Sequence, residues 1–305
     1  MKKVFVVILN FNGGDITVEC INSLLKQKLE KIELTIVVVD NGSSDNSAKA
    51  ISNIHDLRSK IQILRNKENL GFTGGCNEGM RYALKSGADY ILLLNNDTVV
   101  DENLITNLVE KAKPDMVGAV VPKIYFEKGY EFHKEKYKKD DLGKIIWYAG
   151  GEMDFDNLIG KNIGVDEVDR GQFDITRETE LATGCCILLK KETLNAVGLF
   201  DDEYFLYYED ADLTQRIREK GFKIIYEPSA VVWHKNAESS GVGSELHDYY
   251  ISRNRLLFGM KYAPLRTRAA LIKESFNILK TGRSWQKKGV RDYYLRKFGR
   301  GTFNI

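Results

Sequence analysis

Short apolar runs recur along the first part of the chain at intervals of about thirty residues, the length of a strand, a crossover helix and the next strand. Many of their residues are β-branched, and each run is too short for a buried helix. The runs lie at 4–9, 34–39, 61–64, 90–94 and 117–121. We therefore predict five strands of a mostly parallel sheet, since near-continuous apolar strands suit a sheet buried on both faces.

Apolar residues at helical spacing separate these runs and predict the helices that cover the sheet. They are Val18, Ile21, Leu24 and Leu25 after Asp15, and Leu104, Ile105, Leu108 and Ala112 after Asp101. Residues 125–145 interrupt the order with mixed charge and aromatics, which indicates a solvated loop or an insertion. From residue 183 strands and helices alternate again. The pattern predicts an open, layered α/β fold.

Polar residues cluster where four of the predicted strands end. The clusters are at 10–12, 40–45, 66–72 and 95–97. Each cluster alone is typical of a turn or a helix cap. Because ligands bind beyond the carboxyl ends of parallel strands, the clusters together predict a binding crevice at one sheet edge.

A glycine-rich stretch, 71–77, precedes a predicted helix, so its backbone amides could meet phosphate or ribose oxygens. The chain lacks GxGxxG after its first strand and lacks a GxxxxGK[ST] loop. A dinucleotide-binding fold and a phosphate-loop enzyme are therefore disfavoured.

Composition narrows the class of protein. The 305 residues are 43% hydrophobic and carry a net charge of +2, which favours a globular domain and gives no reason to expect a nucleic-acid partner. The four cysteines have no zinc or redox spacing, so we expect reduced thiols and a cytoplasmic protein. The apolar run after Lys2 and Lys3 is shorter than a secretory signal requires.

Positive charge is concentrated in residues 261–305, which hold twelve Lys and Arg against Glu274 and Asp292. Apolar residues are interleaved with these charges, as in a helix lying on anionic lipid. A basic, solvated helix packed on the main domain is the alternative. The expected location is therefore cytoplasmic or peripheral on the inner face of the cell membrane.

The motifs taken in order resemble the inverting family-2 glycosyltransferases of the GT-A fold, and are closest to the bacterial rhamnosyltransferase-like branch. The resemblance covers about residues 3–260. It rests on the elements VVILNFN, VVVDNGSSD, NKENLGFTGGCN, LLLNNDT, ATGCCILLKKET, FLYYEDADLTQR, AVVWH and YYISRN. It implies a GT-A domain at 1–260, with a nucleotide-binding half at 1–122 and an acceptor-side half at 123–260, followed by a short, basic, helical appendage at 261–305.

The resemblance implies that Asn10 and Asp40 hold the nucleobase and ribose, and that Asp97 is the last carboxylate of the family's DxD element. Asn95 replaces the first carboxylate. Asp97 and His234 are then the expected ligands of a divalent cation, Mn²⁺ or Mg²⁺, and the imidazole favours Mn²⁺. The full set predicted to bind the nucleotide sugar is Asn10, Asn12, Asp40, Asn69, Gly71, Phe72, Asn77, Asn95, Asn96, Asp97 and Arg253. Arg253 is included because its planar fork suits a diphosphate, although a surface salt bridge would also explain it.

Three acids, Glu209, Asp210 and Asp212, lie at the start of a predicted helix. Capping and charge-matching of that helix explain one acid better than three. An acceptor hydroxyl needs a general base, and the resemblance implies that Asp210 is that base. Glu209, Asp212 and Gly184 are expected to support the base or orient the acceptor.

The predicted function is the inverting transfer of a sugar from a nucleotide diphosphate to a hydroxyl of a glycan or polyprenyl-diphosphate-linked acceptor, in cell-surface polysaccharide synthesis. The first donor hypothesis is dTDP-L-rhamnose, and UDP-hexose or UDP-N-acetylhexosamine is the alternative. A catalytically inactive nucleotide-sugar-binding subunit is a hypothesis of another class. A nucleotidyltransferase would need a basic, glycine-rich loop after the first strand, where this chain has NFNGGD.

Overall fold

The computed structural model describes residues 1–54, 60–236 and 243–303. Within them the strands are β1 (Lys2–Asn10), β2 (Ile32–Asp40), β3 (Ile61–Arg65), β4 (Tyr90–Asn95), β5 (Thr98–Val100), β6 (Val117–Phe126), β7 (Ile146–Tyr148), β8 (Gly151–Asp154), β9 (Ile159–Asn162), β10 (Arg177–Glu178), β11 (Cys186–Lys190) and β12 (Lys223–His234). The helices are α1 (Gly14–Leu24), α2 (Ser47–Ser52), α3 (Gly71–Lys85), α4 (Leu104–Lys111), α5 (Lys191–Val197), α6 (Glu209–Glu219), α7 (Glu245–Tyr262), α8 (Leu265–Thr281) and α9 (Ser284–Tyr294). All five strands predicted from the first apolar runs are present.

One mixed sheet forms the centre of the molecule. Its main order is β10-β12-β6-β11-β4-β1-β2-β3, with β5 beside β12 and β7 beside β6. β3, β2, β1 and β4 are parallel, and β6 and β12 are parallel to each other. β11 is antiparallel to both β4 and β6. The carboxyl ends of the parallel strands and the amino end of β11 therefore lie at one edge.

Helix α3 packs unusually close to the sheet because it carries glycine on its inner face. A Cβ added at Gly75 would lie 2.3 Å from a Leu9 side-chain atom, and one added at Gly79 would lie 2.3 Å from Val7. Close packing brings the amino end of α3 to the edge where β1 and β2 end. The glycine-rich stretch thus shapes the binding edge through packing.

The segment predicted as a loop or insertion, 125–145, contains a 3₁₀ turn at Lys134–Lys136. The residues that follow it, up to 178, add β7 beside β6, β10 beside β12 and a separate β8–β9 hairpin. Lys123, 2% exposed, is paired with Asp169 over 2.7 Å. Strands this short gain their stability from the sheet they join.

The last three helices pack together rather than forming a separate tail. α9 packs along α7, and α8 contacts both. The boundary predicted between residues 260 and 261 falls inside α7, two residues before its end. In the three described ranges, no helix has the length and apolar character needed to cross a bilayer.

Candidate functional site

A hydrogen-bonded polar cluster lies at the carboxyl ends of β1 and β2. Asn10 and Asp40 are opposite each other in the strand register, are buried, and are joined by a hydrogen bond of 3.4 Å from the Asn10 amide. Thr17 donates to Asn10 Oδ1 over 2.8 Å, and Asn96 donates to the Thr17 hydroxyl over 2.9 Å. Asn12 has a left-handed φ of 51° and accepts from the backbone of the loop after β2. Four predicted nucleotide-binding residues are thus neighbours.

Asn41 joins this cluster to the amino end of α3. Its Nδ2 donates to Asn69 Oδ1 and to the Gly71 carbonyl, each over 3.0 Å. Its Oδ1 accepts from Asn66 over 2.9 Å and from the Leu70 N–H over 3.1 Å. Asn69 and Gly71 were predicted from the sequence, whereas Asn41 was not, because an asparagine after a strand is also typical of a turn.

Asp97 and His234 meet at the same edge. His234 pairs with Thr98 in the β12–β5 register, which places its Nε2 3.2 Å from Asp97 Oδ1. Trp147 contacts the imidazole edge to face, with ring centroids 4.7 Å apart. The pairing of Asp97 with His234 was expected from the family resemblance, whereas Trp147 was not expected, since no local pattern links β7 to the end of β12.

The charge of His234 depends on its neighbours. Burial alone would lower the pKa of His234, but the Cys185 sulfur and the Asp97 carboxylate outweigh burial and raise that pKa to about 10. Asp97, 3.2 Å from the imidazole, therefore favours its protonated form, in which the two side chains make an ion pair.

A carboxylate and an imidazole suit a divalent cation whose remaining coordination positions are filled by oxygens of a bound substrate or of water. Within the described residues there is no group of three or more His, Cys, Asp or Glu side chains placed to hold a metal. Asp97 and His234 would therefore be its two protein donors, with phosphate oxygens and water completing the coordination. The His234 proton would have to leave when the cation binds.

Asp210 lies beside the amino end of β11. Its carboxylate accepts from the Gly184 N–H over 3.1 Å and from the Ala211 N–H over 2.8 Å. A Cβ added at Gly184 would lie 3.4 Å from the Phe72 ring and 3.7 Å from the Asp210 Cβ. Burial raises the pKa of Asp210, although the two backbone N–H groups oppose that shift.

The segment before β11 connects the Asp97 and Asp210 sides. The Asn95 N–H, at the end of β4, donates to the Cys185 carbonyl over 2.8 Å. Cys185 also neighbours His234, and the preceding residue, Gly184, holds Asp210. The predicted cation ligands and the predicted base thus flank one two-residue segment.

Glu209 faces the interior instead of the crevice. It is 6% exposed, and its Oε2 has no hydrogen-bond partner among the residues that the structure describes. Burial and the adjacent Asp210 charge raise the pKa of Glu209 well above its usual range. The expectation that Glu209 orients an acceptor is therefore corrected, since Glu209 is a buried carboxyl next to Asp210.

Asp212 is a structural anchor rather than an acceptor ligand. It is 1% exposed and accepts from Arg216 Nε over 2.7 Å. The hydroxyls of Tyr204 and Tyr262 donate to its other oxygen over 3.2 and 2.8 Å. Arg216 also donates to the carbonyls of Val197, which ends α5, and Leu199. Of the three acids predicted at the start of this helix, Asp210 is therefore the one that borders the crevice.

The segment before α6 adopts a strained backbone. Phe205, Tyr207 and Tyr208 have φ values of 65°, 69° and 71°, a region that non-glycine residues seldom occupy. The Asn254 amide donates to the carbonyls of Tyr204, Leu206 and Tyr207 over 2.8 to 2.9 Å. We call residues 204–208 the strained segment.

Arg253 supports the same segment and does not reach the crevice. It is fully buried, and its guanidinium donates to the carbonyls of Glu203 and Tyr204 over 3.1 and 2.8 Å and to Gly299 over 2.6 Å. The predicted diphosphate role is corrected to a structural one. A buried guanidinium whose N–H groups are already hydrogen-bonded has no free pair of donors for a diphosphate.

Asn77 has a similar structural role. It is 1% exposed, its Nδ2 donates to the Phe200 carbonyl over 2.9 Å and to Asp202 over 2.7 Å, and its Oδ1 accepts from the Phe200 N–H. Asn77 therefore fastens α3 to the chain after α5, and its predicted contact with a nucleotide sugar is corrected.

The family model for Glycosyl transferase family 2 matches residues 5–197. The chain belongs to glycosyl transferase family 2. The matched residues include the β1 and β2 cluster, Asp97 and Gly184, whereas Asp210 and His234 lie beyond the match.

Curated relatives of this family 2 chain include bacterial polysaccharide enzymes. It is 28% identical over 234 residues to a poly-β-1,6-N-acetyl-D-glucosamine synthase of Staphylococcus aureus, covering 76% of the chain and 49% of the relative. It is 25% identical over 213 residues to glycosyltransferase GlyG of Streptococcus pneumoniae, covering 66% of the chain and 63% of the relative. The chain thus spans about half the length of the first relative and under two thirds of the second.

Solved structures confirm the predicted GT-A fold. GalNAc-T7 with UDP, GalNAc and Mn²⁺ superposes with a TM-score of 0.62 at 17% identity, covering 96% of this chain and 58% of that one. Mannosyltransferase PcManGT from Pyrobaculum calidifontis, in complex with GDP-Man and Mn²⁺, gives a TM-score of 0.55 at 15% identity, covering 99% and 76%. At these identities the likeness establishes the fold alone.

Proposed function

We propose that this family 2 chain transfers a sugar from a nucleoside diphosphate to an acceptor hydroxyl, with inversion at the anomeric carbon. The proposal rests on one observation: the predicted cation ligands, the predicted base and the predicted nucleotide-binding cluster all lie at the same edge of the sheet. The Asp97–His234 pair and Asp210 flank the residues just before β11. The Asn10–Asp40 cluster lies on the neighbouring strands of that edge.

The proposed step is a single displacement. The acceptor oxygen attacks the anomeric carbon, its proton passes to Asp210, and the bond from that carbon to the diphosphate oxygen breaks with both electrons leaving on the diphosphate. Retention through a covalent intermediate would require a carboxylate nucleophile as well. Glu209 is buried and Asp212 is bound to Arg216, so among the three acids Asp210 alone borders the crevice, which favours inversion.

A divalent cation held by Asp97 and His234 would neutralise charge on the leaving diphosphate. Trp147 orients the His234 ring, and the β12–β5 pairing fixes the spacing of the two donors. The chemistry of this donor pair favours Mn²⁺ over Mg²⁺. The two superposed glycosyltransferases were solved with Mn²⁺, which supports the same choice.

We propose a UDP-N-acetylhexosamine as the first donor to test. The relatives named as poly-β-1,6-N-acetyl-D-glucosamine synthases support it, and dTDP-L-rhamnose, suggested by the sequence motifs, is the second. The proposed acceptor is a glycan or polyprenyl-diphosphate-linked hydroxyl of a cell-surface polysaccharide, and the proposed location is the cytoplasmic side of the membrane.

A donor screen tests the proposal. Purified protein is incubated with UDP-GlcNAc, UDP-glucose, dTDP-L-rhamnose or GDP-mannose, with Mn²⁺, Mg²⁺ or EDTA, and nucleoside diphosphate release and thermal stability are measured. We expect one donor to be hydrolysed slowly in Mn²⁺ and to raise the melting temperature. Failure of every donor both to stabilise the protein and to turn over would contradict the proposal.

Two variants separate an enzyme from a binding subunit. Asp210→Asn should keep donor-induced stabilisation and lower turnover by roughly 10²- to 10⁴-fold, the usual contribution of a general base. Asp97→Asn should weaken the Mn²⁺-dependent stabilisation itself. A wild-type protein that binds donor but releases no more nucleoside diphosphate than Asp210→Asn would instead be a binding subunit.

A further inference from the structure

Helix α8 has two apolar faces, only one of which is covered. Leu271 is buried against α7, and Thr267 and Ser275 line the same inner face. The other face carries Leu265, 81% exposed, and a second group of exposed residues one to three turns further on. That group is Ala269, Ile272 and Phe276.

The spacing makes this second face a continuous stripe. Residues 265, 269, 272 and 276 are separated by four, three and four positions, which places them on one side of a helix over about 16 Å. Phe276, 55% exposed, stacks on Tyr294 of α9 with ring centroids 6.0 Å apart. Leu295, 64% exposed, follows directly. We call residues 265, 269, 272, 276, 294 and 295 the apolar stripe.

A row of cations runs beside the stripe. Arg266, Lys273 and Lys280 are exposed and recur every seven residues, so they project from one side of α8, at the flank of the stripe. Among the described residues none of the three has an ion-pair partner. Neither acid of residues 261–305 neutralises these cations, because Glu274 pairs with Arg255 and Asp292 is 3% exposed.

We infer that the apolar stripe and its cation row form a docking surface for an anionic lipid bilayer. An apolar stripe inserts at the boundary of headgroups and acyl chains while adjacent cations attract acidic headgroups. A second copy of the chain fits less well, since a two-fold contact through the stripe would bring the two cation rows together. The surface is separate from the crevice, so the inference does not depend on the proposed function.

Sedimentation with vesicles tests the docking surface. The full chain is mixed with phosphatidylcholine vesicles that contain or lack about a third of phosphatidylglycerol, at low ionic strength. We expect binding to the acidic vesicles and little to the neutral ones. Ile272→Glu with Phe276→Glu should abolish binding. The triple change of Arg266, Lys273 and Lys280 to Gln should weaken it about a hundredfold, since each cation near an acidic surface contributes roughly fivefold.

Matched controls change exposed apolar residues and exposed lysines outside helices α8 and α9. Met116→Glu with Ile175→Glu replaces two exposed apolar residues elsewhere, 58% and 70% exposed, and should bind like the wild type. Changing Lys134, Lys136 and Lys138 to Gln removes the same charge from an exposed loop and should have little effect.

Some outcomes would overturn the inference. One is equal binding by the stripe double variant and its Met116 and Ile175 control, with both folded by circular dichroism. Another is a dimer in solution that the stripe variant dissociates, which would assign the surface to a second copy. Vesicle binding requires no donor, and soluble nucleoside diphosphate release is measured separately. A failed donor screen therefore leaves this result interpretable.

Discussion

Asn254 directs one side-chain amide at three backbone carbonyls of the strained segment, which ends one residue before Glu209 and two before Asp210. Three left-handed residues so close together cost free energy on the order of 1 kcal/mol or more each, unless the surroundings hold them. Asn254 supplies that restraint from α7, with Arg253 beside it. We therefore regard Asn254 as a positioning residue for Asp210.

The first prediction concerns Asn254→Ala. Loss of the amide leaves the partly buried carbonyls of Leu206 and Tyr207 without this donor, so the free energy of unfolding should fall by about 1 to 3 kcal/mol. Because a small misplacement of a base can cost about a hundredfold, kcat should drop strongly while KM for the donor changes little. Steady-state kinetics and urea unfolding measure both effects.

Asn277→Ala on the exposed side of α8 is the matched control and should retain kcat. If Asn254→Ala raised KM for the donor and left kcat unchanged, Asn254 would belong to donor binding instead of positioning the base.

The second prediction is the pH dependence of transfer. Asp210 must be ionised to accept a proton, and burial raises its pKa. The rate should therefore rise with pH through a pKa above the ordinary aspartate range of about 3.5 to 3.9. A pH profile of kcat/KM checks this expectation.

In Asp210→Asn the residual rate should lose that acidic limb. Glu209→Gln should keep it, since Glu209 is buried away from the crevice. An acidic limb that survives in Asp210→Asn would assign the titration to another group.

The role of a single residue could be predicted from the sequence in some cases and not in others. Asp97 could be placed at the binding edge because it follows a predicted strand, whereas the roles expected of His234 and Asp210 came from the family resemblance. Arg253 could not be assigned, since its partners Glu203 and Gly299 lie some fifty residues away in either direction. Polarity alone does not say whether a side chain meets a ligand or a backbone carbonyl.

At the scale of elements, the amino end of α3 and the strained segment are in direct contact. Gly71 begins α3 with φ +75°, and a Cβ there would lie 2.5 Å from the Phe205 ring and 2.6 Å from the Phe205 carbonyl oxygen. The Thr73 N–H donates to that same carbonyl over 3.2 Å. The start of α3, next to the predicted nucleotide-binding cluster, thus supports the strained segment that precedes Asp210.

The third prediction compares two glycines that both have a positive, left-handed φ angle. Gly71→Ala introduces both an unfavourable positive φ and a collision with Phe205. Gly87→Ala has φ +85° with nothing within 4 Å of the added Cβ, so it isolates the backbone cost of about 1 to 2 kcal/mol. Gly71→Ala should lose clearly more stability than Gly87→Ala and should also lower kcat.

Chemical denaturation of the two variants and their initial rates provide the measurement. If both variants lost the same stability and Gly71→Ala kept full activity, the contact between α3 and the strained segment would matter neither for folding nor for catalysis.

The elements themselves differ in how well the sequence predicted them. The strands with long apolar runs, such as β1 and β4, were predicted because burial on both faces leaves a continuous signal. β7 and β10 have three and two residues, too few for a period to be read. Their positions depend on β6 and β12, which pair with them across the chain.

At the scale of the whole molecule, the C-terminal helices are part of the same folding unit as the crevice. Tyr249 of α7 and Thr302 both donate to Asp292 of α9, and Arg253 donates to Gly299. The end of the chain therefore braces the strained segment. The predicted basic, helical character of 261–305 is present, but the sequence could not show that its contacts reach the base.

The fourth prediction follows from that bracing and concerns the cooperativity of unfolding. The chain has three tryptophans. Trp285 contacts Phe303 with ring centroids 4.6 Å apart, and Trp147 contacts His234 at 4.7 Å. A variant that keeps only Trp285 and one that keeps only Trp147, the others changed to Phe, report the two regions separately. Since Arg253 joins Gly299 to the strained segment beside the crevice, fluorescence in both variants should follow one urea transition.

Each tryptophan variant needs its own reference, because a Trp→Phe change alters stability by itself. Far-UV circular dichroism of the same variant supplies it, and the fluorescence and dichroism midpoints should coincide in both. A Trp285 transition at lower urea than the dichroism of the same protein would mean that α8 and α9 unfold independently. Bracing of the base by the chain's end would then contribute little, and the positioning of Asp210 would rest on Asn254 and α3 alone.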